Sequence, residues 1–393
     1  MSAKSARTRV GIVGAGPSGL MLSHMLHLAG IDSVVIEQRS RAYIENRIRA
    51  GVLEHDVAEL LRSTGLGARL NALGLPHEGT QLLFAGQPHR IDFAALTGKH
   101  VTVYGQHEVV RDLVAARLEA GGELVFGAED VAVEGVQSGS PAITYTSAGV
   151  AHRLDCDVIA GCDGFHGICR PAMPAGHLKI FDRIYPFGWL GILADAAPSA
   201  EELIYANHEN GFALLSMRSP TVSRMYLQCA PDEDVALWSD DRIWSELEVR
   251  LAHEGFALHT GKITQKSVTP MRSFVAEPMQ CGRLFLVGDA AHIVPPTGAK
   301  GMNSAIGDVV VLSRALERFF AGRGSEGLEE YSKICLRRIW KTQRFSWWMT
   351  TMLHRMDHGD FDRRVQLAEL DYVTGSVAGS TTLAENYVGL PLT

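Results

Sequence analysis

Apolar and polar positions change period several times along the chain, and each change predicts an element. Arg9-Val10-Gly11-Ile12-Val13 is an apolar run of strand length, and Leu20 to Ala29 carries apolar residues at helical spacing. Between them lies a glycine turn, Gly14-Ala15-Gly16-Pro17-Ser18-Gly19, and Ser33 to Glu37 reads as a second strand. The result is a βαβ unit ending in an acid. Gly14 suits the tight turn, Gly16 lets backbone approach a pyrophosphate, and Gly19 lets helix and strand pack closely. The glycine turn, with Ser18, and the helix N-terminus would hold phosphates, and Glu37 could accept hydrogen bonds from an adenosine ribose.

Beyond Glu37 the stretch Gln38-Arg39-Ser40-Arg41-Ala42-Tyr43 is basic and irregular, and it runs into Arg47-Ile48-Arg49. Extended, Arg47 and Arg49 share a face that suits a charged cofactor; a solvated basic loop is the alternative. Val52 to Leu61 has helical spacing and is expected to cover the sheet, ending at Gly65 and Gly67. Gln81 to Phe93 alternates like strands of a second sheet. His77 precedes it. With an intrinsic pKa near ~6.5 it could carry a proton, although its position alone favours a structural role. Gln106 stands at the start of another helical pattern, Val109 to Glu119, and Ala128 to Arg153 reads as a meander of strands. Asp157 to Gly161 is a buried strand ending in Cys162-Asp163-Gly164, with Arg170 soon after; such turns at the carboxyl ends of parallel strands are places to meet a cofactor.

Two later strands carry unusual side chains. In Leu214-Leu215-Ser216-Met217-Arg218 the period of two puts Ser216 with Arg218, and in Val222-Ser223-Arg224-Met225-Tyr226 it puts Arg224 with Tyr226. A hydroxyl, a guanidinium fork and a phenol could together bind a carboxylate. Downstream, Arg283 to Val287 is a further buried strand. It ends in Gly288-Asp289 and is followed by the turn Val294-Pro295-Pro296-Thr297-Gly298-Ala299-Lys300 and a helix expected near Gly301. That helix start could stabilise negative charge on a reduced ring, while Asp289 could alternatively be an N-cap. Leu328 to Leu353 is helical, and its Tyr331, Trp340, Phe345, Trp347 and Trp348 suit core or a subunit interface.

Composition narrows the classes. At 393 residues two domains are expected, and 46% hydrophobic with 21% charged residues is ordinary for a globular protein. The net charge of −7 comes without a basic run, which argues against nucleic acid. No apolar run is long enough to span a membrane, and the basic N-terminus leads straight into the first strand without a signal segment. The cysteines form neither CxxC pairs nor a disulfide-dense pattern, so reduced thiols and a cytoplasmic location are expected. His354 and His358 have helical metal-ligand spacing, but with no HExxH glutamate they read as surface histidines near a helix end, and no metal is expected.

Taken in order, these segments and the tail Asn386-Tyr387-Val388-Gly389-Leu390-Pro391 resemble the flavoprotein aromatic hydroxylases nearly end to end, and in particular those acting on 4-hydroxybenzoate. The resemblance implies an α/β fold with a Rossmann-like FAD-binding domain from 1–76, 100–180 and 270–300. It also implies a second β-sheet substrate domain from 77–99 and 181–269, and a helical C-terminal region, 301–393. FAD would be held by Gly14, Gly16, Ser18, Gly19, Glu37, Arg47, Arg49, Gln106, Asp163, Asp289, Gly298, Lys300, Met302 and Asn303. Arg224 would guide the flavin between a buried and an open position. NADPH or NADH would reduce it at Gln38, Arg39, Tyr43, His166, Arg170 and Arg272. Oxygen would then form a C4a-hydroperoxide whose terminal hydroxyl passes to the ring carbon beside the phenol. Because Gln38 stands where strictly NADPH-using members tend to carry arginine, no strict reductant preference is expected. Ser216, Arg218 and Tyr226 match the substrate carboxylate clamp, with Thr297 beside the substrate. Tyr205, Tyr387 and His77 match a proton relay, and Pro296 would offer its carbonyl to the substrate hydroxyl. A homodimer is expected. Two alternatives stand beside this reading: a hydroxylase of the same fold for another aromatic acid, and a nicotinamide-binding dehydrogenase or non-catalytic redox protein.

Overall fold

The computed structural model describes residues 4–47, 49, 51–356 and 359–392; Ile48 and Ala50 of the arginine segment, and His358, lie outside the described residues. Two large sheets organise the chain. The first runs Gln280–Cys281, Leu284–Leu286, Val150–Gly161, Lys4–Val13, Ser33–Glu37, Glu123–Phe126. Its inner strands are parallel, with Val10 to Val13 flanked by Val158 to Gly161 and by Ser33 to Ile36. Parallel strands are covered on both faces, which is why Val10, Ile12, Val35, Val158 and Ile159 form an almost unbroken apolar layer. The predicted first helix occupies Pro17–Leu28, beginning earlier than the apolar spacing suggests because proline is tolerated in a first helical turn. It packs between the helices Gln106–Glu119 and Gly301–Phe320. The meander is an antiparallel hairpin, Glu129–Glu134 and Ala142–Ser147, laid against the first half of Val150–Gly161.

The second sheet runs His292–Ile293, Lys262–Glu277, Lys179–Asp195, Val222–Cys229, Ala213–Ser219, Ile204–Asn207, Gly79–Phe84, Gln87–Asp92. All neighbours are antiparallel except Ile204–Asn207 and Gly79–Phe84, which are parallel. One face buries Trp189, Tyr205, Phe212 and Leu214 under the C-terminal helices Tyr331–Leu353, Asp360–Gly375 and Val377–Val388. The other buries Leu190, Ile192, Leu215 and Met225 under the helix Asp240–Leu251. Lys262–Glu277 stays in this sheet on both sides of residue 270, where the first domain was expected to resume.

A third, small sheet holds Val52–Leu53, Val101–Val103 and Leu75–His77. This corrects the helix expected from Val52: the chain stays extended through the apolar pair that borders Val101–Val103, and the helix begins at His55. The described cysteines are all free, and no helix among the described residues is long and apolar enough to cross a membrane.

Candidate active site

At the edge of the first sheet, Gly14 has a φ of 104°, and a Cβ there would strike the Cys162 carbonyl. Its N–H donates to the Ile36 carbonyl at 2.8 Å, pulling the turn onto the sheet. Gly16 is the N-cap of Pro17–Leu28 with no side chain capping it, and a Cβ at Gly16 would meet nothing within 4 Å. The helix start is thus uncapped beside open space, the arrangement a pyrophosphate requires. Gly19 lies against the Gly14 carbonyl, and Ser18 is buried in the same turn. Glu37 accepts from the N–H groups of Ala15 (2.8 Å) and Arg39 (2.7 Å), which fix its carboxylate while leaving further lone pairs for a ribose.

The other ends of the cradle also fit a flavin nucleotide. Asp163 accepts the Cys169 N–H at 2.8 Å through Oδ2, whereas its Oδ1 is buried without a partner, and burial raises its carboxyl pKa. Asp289 lies in a short turn whose N-cap is Val287, so it is not the N-cap considered above. Although the Asp289 side chain is exposed, the mass of protein around it raises its pKa, while His292, Arg49 and Arg47 pull it down, so the structure brings the two arginines into the field of Asp289. Gln106 opens its helix behind Gly105. Met302 lies in the first turn of Gly301–Phe320, which no side chain caps. The side chains of Lys300 and Asn303 turn to protein instead. Lys300 pairs with Glu54 at 2.7 Å and donates to the Tyr387 carbonyl at 2.9 Å. Asn303 accepts from the Glu54 N–H and donates to the carbonyls of Val52 and Ala299. Glu54, which sequence reasoning passed over, thus ties the start of this helix to the small sheet.

At the second sheet, Ser216 stands opposite Arg224 and Leu214 opposite Tyr226, so Ser216, Arg218, Arg224 and Tyr226 share one face. Burial would raise the Tyr226 phenol, but Arg224 and Arg218 outweigh it and lower its pKa. Arg218 is itself depressed, first by burial, with Arg224 adding to the effect. It donates to the Met217 carbonyl at 2.7 Å, and the Ser216 hydroxyl donates to the Arg224 carbonyl at 2.8 Å. Arg218 Nε, Arg224 Nε and Arg224 Nη1 are buried without any acceptor. Two crowded guanidiniums with orphan N–H groups are costly unless an anion completes them, and a carboxylate matches the fork. Gly191, opposite Tyr226, keeps the face open: a Cβ would lie 2.7 Å from an Arg224 nitrogen.

Near the clamp, the hydroxyls of Tyr205 and Tyr387 meet at 2.6 Å, and both rings are buried. Burial pushes Tyr205 up to about 12, with its bonds to Tyr387 and the Gly298 backbone opposing. Burial and Tyr205 likewise hold Tyr387 well above the ordinary tyrosine value. Both phenols are therefore neutral hydrogen-bonding groups. Pro296 already accepts the Ala299 N–H at 2.9 Å and retains a second lone pair, and the buried Thr297 hydroxyl is 3.1 Å from that of Thr350. His77 is buried, and burial lowers it to about 4. It lines a surface cavity of about 490 Å³ with Glu201, Met217 and Pro220; among the described residues no direct bond joins it to Tyr387.

The nicotinamide candidates fall into two groups. Gln38, Arg39 and Tyr43 form an exposed patch beside Glu37, with Arg39 5.4 Å and Arg47 5.8 Å from the Tyr43 ring. His166, Arg170 and Arg272 surround Phe165. There Arg170 donates to the carbonyls of Ala290 (2.8 Å) and Phe165 (2.6 Å), bracing the two strand-end turns, and Arg272 pairs with Asp182 at 3.1 Å. His354 is a correction. Expected at the surface, it is fully buried and accepts the Trp189 indole N–H at 2.6 Å, because the helix end it caps is pressed onto the sheet.

A family model described as FAD binding domain matches residues 7–346. The p-hydroxybenzoate hydroxylase of Acinetobacter baylyi is 51% identical over 391 residues, 99% of this chain and 96% of that protein. Anhydrotetracycline monooxygenase of Streptomyces rimosus is 29% identical over 342 residues, 80% of this chain and 64% of its own. Among solved structures, p-nitrophenol 4-monooxygenase from Pseudomonas putida superposes with a TM-score of 0.82 at 18% identity, covering 99% of this chain and 100% of that one. The match along the whole length sets aside the dehydrogenase and redox-protein alternatives, which share only the first βαβ unit. With its FAD cradle and its relatives in agreement, the chain belongs to the FAD-binding aromatic hydroxylases.

Proposed function

We propose that the chain converts 4-hydroxybenzoate, O2, NAD(P)H and a proton into 3,4-dihydroxybenzoate, water and NAD(P)+. The observation that carries this reading is the half-buried clamp of Ser216, Arg218, Arg224 and Tyr226, in which Arg218 Nε and Arg224 Nε and Nη1 lack acceptors, set near the buried Tyr205–Tyr387 pair. When bound, FAD supplies the reduced carrier and the activated oxygen.

The residues bind, orient and move a proton. Arg218, with Tyr226, takes the carboxylate, and the Ser216 hydroxyl turns from the Arg224 carbonyl to join it. A phenol with a pKa of roughly 10 is mostly neutral at neutral pH, and its phenolate is the electron-rich form that attacks an electrophilic oxygen. Tyr205 accepts that proton into the chain of hydroxyls while Tyr387 receives the next one, and the lone pair left on the Pro296 carbonyl orients the substrate hydroxyl. His77, lining its surface cavity, is the outer acceptor, reached from Tyr387 through water. Arg224 guides the flavin between its buried and open positions.

Further features belong to this reading. NADH and NADPH serve without strict preference, because Gln38 directly follows Glu37 and Arg39 is displaced by one residue from the position that would grip a 2′-phosphate. Half-exposed Trp340 and Trp347 on Tyr331–Leu353 support a homodimer, and the free cysteines support a cytoplasmic location. The test is product identity from parallel incubations of the holoenzyme with 4-hydroxybenzoate, 3-hydroxybenzoate and 4-aminobenzoate. We expect 3,4-dihydroxybenzoate from the first as the main product; preferential hydroxylation of either other acid overturns the choice of substrate.

A further inference from the structure

His354 caps the Tyr331–Leu353 helix and is fully buried against the second sheet. Its ring lies between Phe187 (centroids 4.5 Å apart) and Phe212 (4.3 Å). Nδ1 is 2.9 Å from the Thr350 carbonyl, and Nε2 is 2.6 Å from the Trp189 indole nitrogen. A carbonyl can only accept and an indole N–H can only donate, so one tautomer satisfies both: Nδ1 carries the proton and Nε2 is bare. Burial lowers the imidazole to about 3, so it stays neutral.

Trp189 lies two residues before Gly191 on the same strand and therefore on the clamp face. Its ring meets Tyr226 (4.8 Å) and stacks on Phe212 (5.1 Å). In the other direction, the Thr350 hydroxyl lies 3.1 Å from that of Thr297, in the turn that holds Pro296. One helix end thus joins the Pro296–Gly298 turn to the clamp through Thr350, His354, Trp189 and Tyr226.

We propose that His354 is a positioning residue for the carboxylate clamp: as a hydrogen-bond acceptor it holds the Trp189 indole, and through that ring it holds Tyr226 beside Arg218 and Arg224. The inference rests on reading that site as a carboxylate site. An apolar ring at position 354 leaves the indole N–H buried and unpaired and frees Trp189 to turn, whereas a glutamine amide oxygen can still accept.

The test is titration of the holoenzyme with benzoate and with phenol, followed by the flavin absorbance, in the wild type, H354Q, H354F, W189F and the double variant H354F/W189F. H354F should weaken benzoate about 10-fold, the effect of one lost buried hydrogen bond, and H354Q less than about threefold. Phenol, which lacks the carboxylate, should bind within about twofold of wild type throughout, and the double variant should be no weaker than W189F, since coupled residues are not additive. Wild-type benzoate affinity in H354F, equal losses for benzoate and phenol, or multiplied losses in the double variant would each overturn the proposal. Should H354F fail to fold, wild-type benzoate affinity in W189F overturns it, and a loss there with retained affinity in H354Q supports it. If the unmutated holoenzyme does not bind benzoate, the carboxylate reading itself falls and takes this role with it, an outcome visible before any substitution.

Discussion

Arg218 and Tyr205 bear the most specific chemistry, and each makes a separable prediction. Arg218→Lys replaces a planar fork by a point charge, so the affinity for 4-hydroxybenzoate should fall by roughly 1.5–3 kcal/mol in a direct binding titration. Tyr205→Phe removes the first hydroxyl of the relay, and single-turnover hydroxylation should drop by roughly 10²-fold while flavin reduction is spared. Unchanged hydroxylation would remove Tyr205 from the proton path. Buried His77 and His354 give a pH signature. Their native pKa values, lowered to about 4 and about 3, lie below the 6.5 of an unfolded histidine, so the unfolded chain binds more protons in between. Stability contributed by these residues is complete above pH 6.5 and is lost as the pH falls toward 4 and then 3. Thermal unfolding should show this decline, and His77→Gln should flatten its upper part. At this scale the sequence was legible where a period of two applied: Ser216 with Arg218, and Arg224 with Tyr226. The strand register that puts Ser216 opposite Arg224, merging the two faces into one, depends on tertiary pairing that spacing does not encode.

Among the elements, the strand–turn–helix ends were the readable part, because glycine and an apolar run constrain them locally. Gly14→Ala would force a side chain into positive φ and against the Cys162 carbonyl, and the purified protein should be largely colourless, with little bound FAD. The Val52 segment was misread for a physical reason: a short apolar run has the same composition as a strand or as a helix start, and the neighbouring strand decided. The same blindness hid Glu54. Its partners Lys300 and Asn303 come from the far end of the chain, and their side chains brace the small sheet. Asn303→Ala should strip partners from the Glu54 N–H and the Val52 carbonyl and lower stability by about 2–3 kcal/mol in denaturant unfolding.

Across the whole molecule, the proposed substrate site lies where the second sheet meets the C-terminal helices. Tyr205 comes from the sheet and Tyr387 from the last helix, 182 residues later. Trp189 and His354 meet across 165 residues. Ordered motifs carried the resemblance that identified the fold, but nothing local in the chain reports that a helix-end histidine will be pressed under an indole. In the proposed reaction Arg218, with Tyr226 and Ser216, holds an aromatic carboxylate while the tyrosine pair draws off the proton of the phenol opposite. The most direct test is the ratio of 3,4-dihydroxybenzoate formed to NAD(P)H consumed when the holoenzyme turns over 4-hydroxybenzoate in air. A ratio near one is predicted; reductant consumed with peroxide as the main product and little dihydroxybenzoate would contradict it.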